Sequence, residues 1–336
     1  MSKFFKILGI VVLVVVVLAV IGISATIGWR PFLGPKSRAL TDRKFEATPE
    51  RLKRGAYLVE HVSVCMDCHT LFRDGPNGQE NVATMKGAGQ IFPVPGLPGR
   101  LVASNITPDT ETGIGTWTDD QIARAIREGV DRDGHTLFPL MPYSNFRHMT
   151  DEDLASVVVY LRSLPPIRNA LPATDIKFPV KYLIRGVPEP VTTVVTADLS
   201  TPVSRGSYLV EMAVCAECHT PIKRGRPEMA LKFAGGQVFD EPSGKIATAN
   251  ITPDATGIGN YTEETFVKAM RTGYVGTRQL NTLMPWQFYS GMTDEDLKAI
   301  YAYLRTVPPI SHHVDNSKPG TPCRKCGVVH GAGNMN

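Results

Sequence analysis

Cys65-Met-Asp-Cys68-His69 and Cys215-Ala-Glu-Cys218-His219 place the same pattern, C-x-x-C-H, twice in one chain of 336 residues. It is the pattern that attaches a c-type haem. Two thiols three positions apart reach the two vinyl groups on one porphyrin edge, and the next residue brings its imidazole beneath the iron. One copy alone also reads as half a zinc site or a redox pair. Two copies in an exported chain point to two covalently bound haem c groups, held through Cys65, Cys68, Cys215 and Cys218, with His69 and His219 on the irons.

Laying Arg54-Gly-Ala-Tyr57-Leu-Val-Glu60 over Arg205-Gly-Ser-Tyr208-Leu-Val-Glu211 gives both motifs the same helical lead-in. The match continues, for Asn105-Ile-Thr-Pro-Asp109 answers Asn250-Ile-Thr-Pro-Asp254, and Met149-Thr-Asp-Glu-Asp-Leu154 answers Met292-Thr-Asp-Glu-Asp-Leu297. The offset falls from 150 at the cysteines to 143 at the last helix, so the chain is a duplication whose copies differ in loop length.

Each copy reads as mainly α. Thr48 and Pro49 cap and open a first helix, Thr118 with Gln121 forms a capping box for a second that ends near Gly129, and Thr150 with Asp153 opens a third that stops before Pro165. The stretch from Thr70 to Trp117 is longer than an ordinary loop, and a bound haem supplies apolar surface for it to pack on. The Asn and Thr side chains of the two N-I-T-P-D loops either hydrogen-bond haem propionates or make turns. Trp117 and Tyr261 suit the haem margin. Arg54 and Arg205 read as a solvated helix face, with propionate neutralisation as the alternative.

Haem iron held by His on one side takes Met, His, water or nothing on the other, and that choice separates electron transfer from catalysis. Met141 and Met284 are the leading candidates, because Leu-Met141-Pro and Leu-Met284-Pro stand at the same repeat position, each before the last helix, with a proline that stiffens the loop. Met149 and Met292 also match, but each directly precedes a Thr-x-x-Asp cap and reads as a hydrophobic staple. His135 and His148 offer a first-site alternative whose repeat counterparts are Arg278 and Gly291. His61 reads as a surface residue on the lead-in helix.

From Ile7 to Trp29 runs a charge-free apolar stretch of 23 residues, preceded by Lys3 and Lys6. That is long enough to span about 30 Å of hydrocarbon as a helix and exceeds the core of a typical cleaved signal peptide. A retained anchor is the expectation. Haem attachment outside the cytoplasm then places the N-terminus inside and the haem domains in the periplasm, as a single-pass protein of the inner membrane. Beyond residue 30, 33 basic residues face 32 acidic ones. So small an excess cannot supply the phosphate contacts of nucleic-acid binding.

The last pair, Cys323-Arg-Lys-Cys326-Gly327, puts glycine where a haem ligand would stand. In an oxidising compartment its plain reading is a disulfide or an unpaired tail. Cys323, Cys326 and His330, with His312 and His313, offer part of a zinc or copper site as the alternative.

These combined motifs over residues 48–310 resemble the membrane-associated multihaem cytochrome c subunits that serve periplasmic alcohol, gluconate and aldehyde dehydrogenases. The resemblance implies an N-terminal transmembrane helix followed by two tandem class I cytochrome c domains, with Cys65, Cys68, His69 and Met141 at the first haem and Cys215, Cys218, His219 and Met284 at the second. The expected organisation is an anchor or uncleaved signal over 1–30, a juxtamembrane linker over 31–47, cytochrome c domain 1 over 48–166, a Pro-rich linker over 167–203, domain 2 over 204–310 and a flexible tail over 311–336. In such proteins electrons pass from a dehydrogenase subunit through the haems to ubiquinone or a terminal oxidase. The expected function is therefore electron transfer without bond chemistry, from a periplasmic dehydrogenase subunit or quinol to an oxidase or small electron carrier. A dihaem peroxidase, and a haem sensor or structural subunit of a respiratory complex, are the alternatives. Many relatives carry three haems, whereas this chain has two C-x-x-C-H motifs and an N-terminal apolar span.

Overall fold

A computed structural model describes residues 2–75, 78–92, 96–223, 225–241 and 244–336. It is mostly helical, with short two-stranded hairpins between helices. Among the described residues, one helix, Ser2–Ala25, is long and apolar enough to cross a membrane. At 1.5 Å per residue it spans about 36 Å, against about 30 Å of hydrocarbon.

The same order of elements then occurs twice. Lead-in helices run over Pro49–Tyr57 and Pro202–Met212, motif helices over Cys65–His69 and Cys215–His219, middle helices over Asp119–Glu128 and Glu263–Thr272, and last helices over Asp151–Ser163 and Asp294–Leu304. Threonine caps the lead-in, middle and last helices in both halves: the side chains of Thr48, Thr118, Thr150, Thr201, Thr262 and Thr293 each accept from the backbone amide three residues on. In the first half the lead-in continues as a π-turn over Leu58–Val62, which buries Leu58, Val59 and Val62.

The lead-in and last helices cross at very short range. A Cβ on Gly55 would lie 2.0 Å from the Ser156 carbonyl oxygen, and one on Gly206 1.9 Å from that of Ala299. Only glycine allows this approach. It brings each arginine of the Arg-Gly-x-Tyr lead-in onto the last helix of its own half: Arg54 Nε donates to Asp153 Oδ1 at 2.7 Å and Arg205 Nε to Asp296 Oδ1 at 2.5 Å. The tyrosine reaches across. Tyr57 Oη donates to Asp296 Oδ2 at 2.5 Å, and Tyr208 Oη donates to Asp153 Oδ2 at 2.6 Å. The same oxygens accept from the amides of Thr293 and Thr150. The two halves thus meet in a reciprocal clasp with the logic of a two-fold interface, and one continuous hydrophobic core runs through both.

Two sequence expectations change here, and the two linkers prove to be packed. Arg54 and Arg205 are neither a solvated face nor propionate partners, because each is committed to an aspartate at this junction. His61 is not a free surface residue: its Nδ1 lies 3.1 Å from the Phe288 carbonyl oxygen, and its ring packs where Gly291 leaves room. Residues 31–47 are docked along the first middle helix, with Arg38 bonded to Asp120 and Glu128 at 2.7 Å and the Thr41 amide to Asp120. The 167–203 segment is strapped down as well, by Arg185 to the Pro31 carbonyl and Lys36 to Glu189.

Tyr57→Phe and Tyr208→Phe are each expected to cost about 2 kcal/mol in denaturant unfolding, since each strips a buried charged carboxylate of one donor. Burial, reinforced by the hydrogen bond to Asp296, pushes the Tyr57 phenol up to about 12. Because the folded value lies above the unfolded one, this contribution is complete below pH 10 and is lost as pH rises through about 12. Unfolding curves collected at pH 9 and above check the loss, which Tyr57→Phe should reduce while Tyr208, raised in the same way, keeps its share.

Candidate functional site

Each motif helix is entered through a valine in the left-handed region, Val64 at φ 41° and Val214 at φ 50°. A β-branched residue held there costs about 1–3 kcal/mol. The same strain at the same position in both halves turns the chain sharply from the lead-in helix into the motif, so that its cysteines and histidine face one cavity. Gln90 Nε2 donates to the Cys68 carbonyl, and Thr248 Oγ1 to that of Cys218, securing the ends of the two motif helices.

The histidines are oriented alike. His69 Nδ1 lies 2.6 Å from the Ser104 carbonyl oxygen and His219 Nδ1 2.7 Å from that of Ala249. A carbonyl only accepts, so Nδ1 carries the hydrogen and Nε2 keeps its lone pair. This is the outer-sphere arrangement that presents imidazole to a metal. Burial lowers the pKa of both rings, outweighing the carbonyl bond, and favours the neutral form that coordination requires.

Cys65, Cys68, Cys215 and Cys218 line the cavity wall, and none is in a disulfide. Burial pushes the first three up to about 12 and Cys218 to about 11. Cys68 and Cys218 are close enough for each motif to feel the charge of the other. Between the motifs lies Tyr289, buried, its hydroxyl donating to the Ala213 carbonyl at 2.8 Å.

Met141 and Met284 sit in loops that line the same cavity. Each loop is tied back to its middle helix by a backbone bond, Leu137 to Gly129 at 2.8 Å and Leu280 to Gly273 at 2.7 Å. The aromatic residue after each Met-Pro, Tyr143 or Trp286, lies flat against that same glycine, where a Cβ would meet the ring at 2.5 or 2.4 Å. Met149 and Met292 are 1% exposed, at the starts of the last helices, in the packing position expected of staples. Of the histidine alternatives, His135 reaches the cavity rim with its side chain 78% exposed, and His148 is exposed outside the cavity lining.

The cavity encloses about 3310 Å³ and is lined by both motifs, both Met-Pro loops, Trp117 and Tyr261. Small-molecule sites usually occupy about 300–1,000 Å³, so the space suits more than one large apolar cofactor. The donor set fits haem in each half: two thiols, an imidazole with a free Nε2, and a thioether. The N-I-T-P-D loops take their turn reading. Asn105 Oδ1 accepts from the amide and hydroxyl of Thr107 while Nδ2 donates to Thr112 and the Ile167 carbonyl, and Asn250 repeats this with Thr252, Thr256 and Ile310.

Sequence reasoning missed the Ser104 and Ala249 carbonyls and Tyr289. The first two were open to it, because each stands immediately before the Asn of a repeated N-I-T-P-D loop. It also missed Phe32, Leu33, Gly34 and Pro35, which line the cavity although they belong to the segment just beyond the apolar helix.

The cytochrome c family model matches residues 203–308. The chain is 30% identical over 282 residues to the cytochrome c subunit of a quinone alcohol dehydrogenase from Gluconobacter oxydans, covering 79% of this chain and 56% of that protein. It is 31% identical over 284 residues to the cytochrome c subunit of gluconate 2-dehydrogenase from Pantoea cypripedii, covering 78% and 60%. A dihaem c-type cytochrome from Cereibacter sphaeroides is 33% identical over 229 residues, covering 63% of this chain and 73% of the relative. The chain thus spans a little over half the length of the two dehydrogenase subunits.

Gly129→Ala and Gly273→Ala are expected to destabilise the protein by more than about 1 kcal/mol each, because both glycines hold a positive φ and both faces are occupied by an aromatic ring. Thermal unfolding of each variant measures this, and a fall in Tm for both is the expected result.

Proposed function

Because this chain belongs to the cytochrome c family, we propose that it is a dihaem electron carrier, the electron-transfer subunit of a dehydrogenase system rather than its catalytic subunit. Its two haem-binding domains cover 48–166 and 204–310, and residues 1–30 anchor it as a single-pass protein in the inner membrane with both domains in the periplasm. The observation that carries this reading is the doubled donor set around one continuous cavity, with His69 and His219 oriented by equivalent carbonyls.

Haem c, when bound, supplies one-electron exchange at its iron. The chain's own residues do the rest. Cys65 and Cys68, and Cys215 and Cys218, hold the porphyrin edge through thioether bonds. His69 and His219 would ligate the irons through Nε2, and Met141 and Met284 would do so through Sδ. A thioether ligand and an apolar wall that excludes water both favour the reduced state. With a histidine and a methionine both on an iron, no coordination position would stand open to a substrate. Tyr289 and the adjoining motif helices bring the two sites side by side, which suits relay from one to the other.

The names of the relatives support a dehydrogenase subunit as electron donor. Quinol is the other candidate donor, and the acceptor in this reading is an oxidase or a small electron carrier. Phe32 to Pro35, just beyond the apolar helix, line the same cavity, which supports electron exchange near the membrane surface.

Met141→Ala and Met284→Ala are each expected to remove half of the far-red methionine-to-iron absorption band while haem stays attached. Cys65→Ala and Cys215→Ala should each weaken covalent retention of one haem under denaturing electrophoresis. Reductive titration of the purified protein should consume two electrons per chain. A methionine variant with the full band would remove that ligand assignment, and uptake of a single electron would remove the dihaem reading.

A further inference from the structure

The C-terminal segment is absorbed by none of this, and it is not the mobile tail that its polar, Gly-rich composition suggests. Gly320–Pro322 pairs with Val329–Gly331 in an antiparallel hairpin. Asn316 docks it on the second half through a pair of bonds, its Nδ2 donating to the Ala247 carbonyl and its Oδ1 accepting from the Ala247 amide. Cys323 and Cys326 are buried against Leu231 and Ala234 as free thiols.

Around them the fold gathers four ligand atoms from separate parts of the chain. His312 arrives from the segment after the last helix, Cys323 and Cys326 from the hairpin turn, and His330 from its second strand. All four residues are 2–4% exposed, and their ligand atoms lie within 4.8 Å of one another. His312 Nε2 is 3.2 Å from Cys323 Sγ and 3.2 Å from His330 Nε2. Zinc bonds of about 2.3 Å to sulfur and about 2.0–2.1 Å to nitrogen give tetrahedral edges of roughly 3.3–3.8 Å, close to the separations found here. His313, the other histidine considered from sequence, lies outside this group.

The repeat explains how the site was added without disturbing the fold. Asn169 is the counterpart of His312, and its Nδ2 donates to the Ala88 carbonyl at 2.9 Å. His312 Nδ1 lies 2.9 Å from the carbonyl of Ala234, the equivalent residue, and so donates in the same way. Histidine keeps the bond that asparagine makes and adds a second nitrogen, Nε2, aimed away from the carbonyl and into the cluster. The carbonyl also fixes its tautomer, as at many metal-bound imidazoles. Gly327, which breaks the haem pattern, has φ 75° and bonds through its amide to the Cys323 carbonyl at 2.9 Å. Its role is to close the turn that points both sulfurs inward.

We propose that His312 Nε2, His330 Nε2, Cys323 Sγ and Cys326 Sγ form a tetrahedral zinc site that locks the C-terminal hairpin onto the second half. Binding displaces two protons, one from each thiol, and leaves two thiolates and two neutral imidazoles around a divalent cation. The closed site carries no net charge, which suits its burial. An S2N2 tetrahedral set selects zinc over the tetragonal geometry preferred by cupric ion, and four protein ligands leave no open position for catalysis.

The test uses the full-length, haem-loaded protein in detergent. Elemental analysis is expected to find one zinc per chain, and X-ray absorption at the zinc edge two sulfur and two nitrogen neighbours. His312→Asn, which restores the first-half residue and its bond to Ala234, should lower bound zinc at least tenfold with haem content and the far-red band unchanged. Cys326→Ser should do the same. Retention of zinc by both variants overturns the proposal, as does copper in its place. Wild-type protein without zinc whose Cys323–Cys326 peptide is two hydrogens lighter overturns it in favour of a disulfide.

Discussion

Two buried aspartates, Asp153 and Asp296, hold the molecule together. Each receives a guanidinium from its own half and a phenol from the other. A carboxylate buried without such donors would cost several kcal/mol, so each half satisfies the other's charge. The arrangement works only because Gly55 and Gly206 let the lead-in and last helices nearly touch. Arginine, glycine and tyrosine in the R-G-x-Y lead-in therefore have three separable tasks: pairing, clearance and bridging. Everything else is referred to this frame, since the lead-in helices deliver the motif cysteines and the last helices anchor the loops that carry Met141 and Met284.

Within the frame, the site is built from backbone as much as from side chains. Ser104 and Ala249 act through their carbonyls, so the identity of those side chains says little about their role. The strained valines before each motif, the capped middle helices and the aromatic residues lying on Gly129 and Gly273 set the two cavity walls. The walls are apolar and the cavity is large for the length of chain, which is the form expected of a fold that completes its core with a cofactor.

The regular parts of this architecture were legible along the chain. Thr118 with Gln121, and Thr150 with Asp153, mark helix starts because capping is a local interaction over three residues. The repeat was equally plain, and so was the chemistry of C-x-x-C-H, because covalent attachment demands a fixed spacing. What was illegible depended on contacts between distant residues. Arg54 looked solvated because its partner lies 99 positions away, and His61 looked like surface because Phe288 and Gly291 belong to the other half. The C-terminal segment looked mobile because a short hairpin has few apolar residues; its cysteines and histidines suggested part of a metal site, but that His312 rather than His313 joins them, and that all four are buried, depended on the fold.

Sequence by itself determined the cofactor class, the repeated motifs, the apolar helix and the candidate donor residues, all properties of spacing within a few turns of chain. Tertiary structure alone decided that the halves share one core and one cavity, that the imidazoles turn Nε2 inward, and that His312 meets Cys323, Cys326 and His330. Those outcomes rest on helices crossing at a glycine and on carbonyls placed by loops, and neither leaves a mark in local residue order.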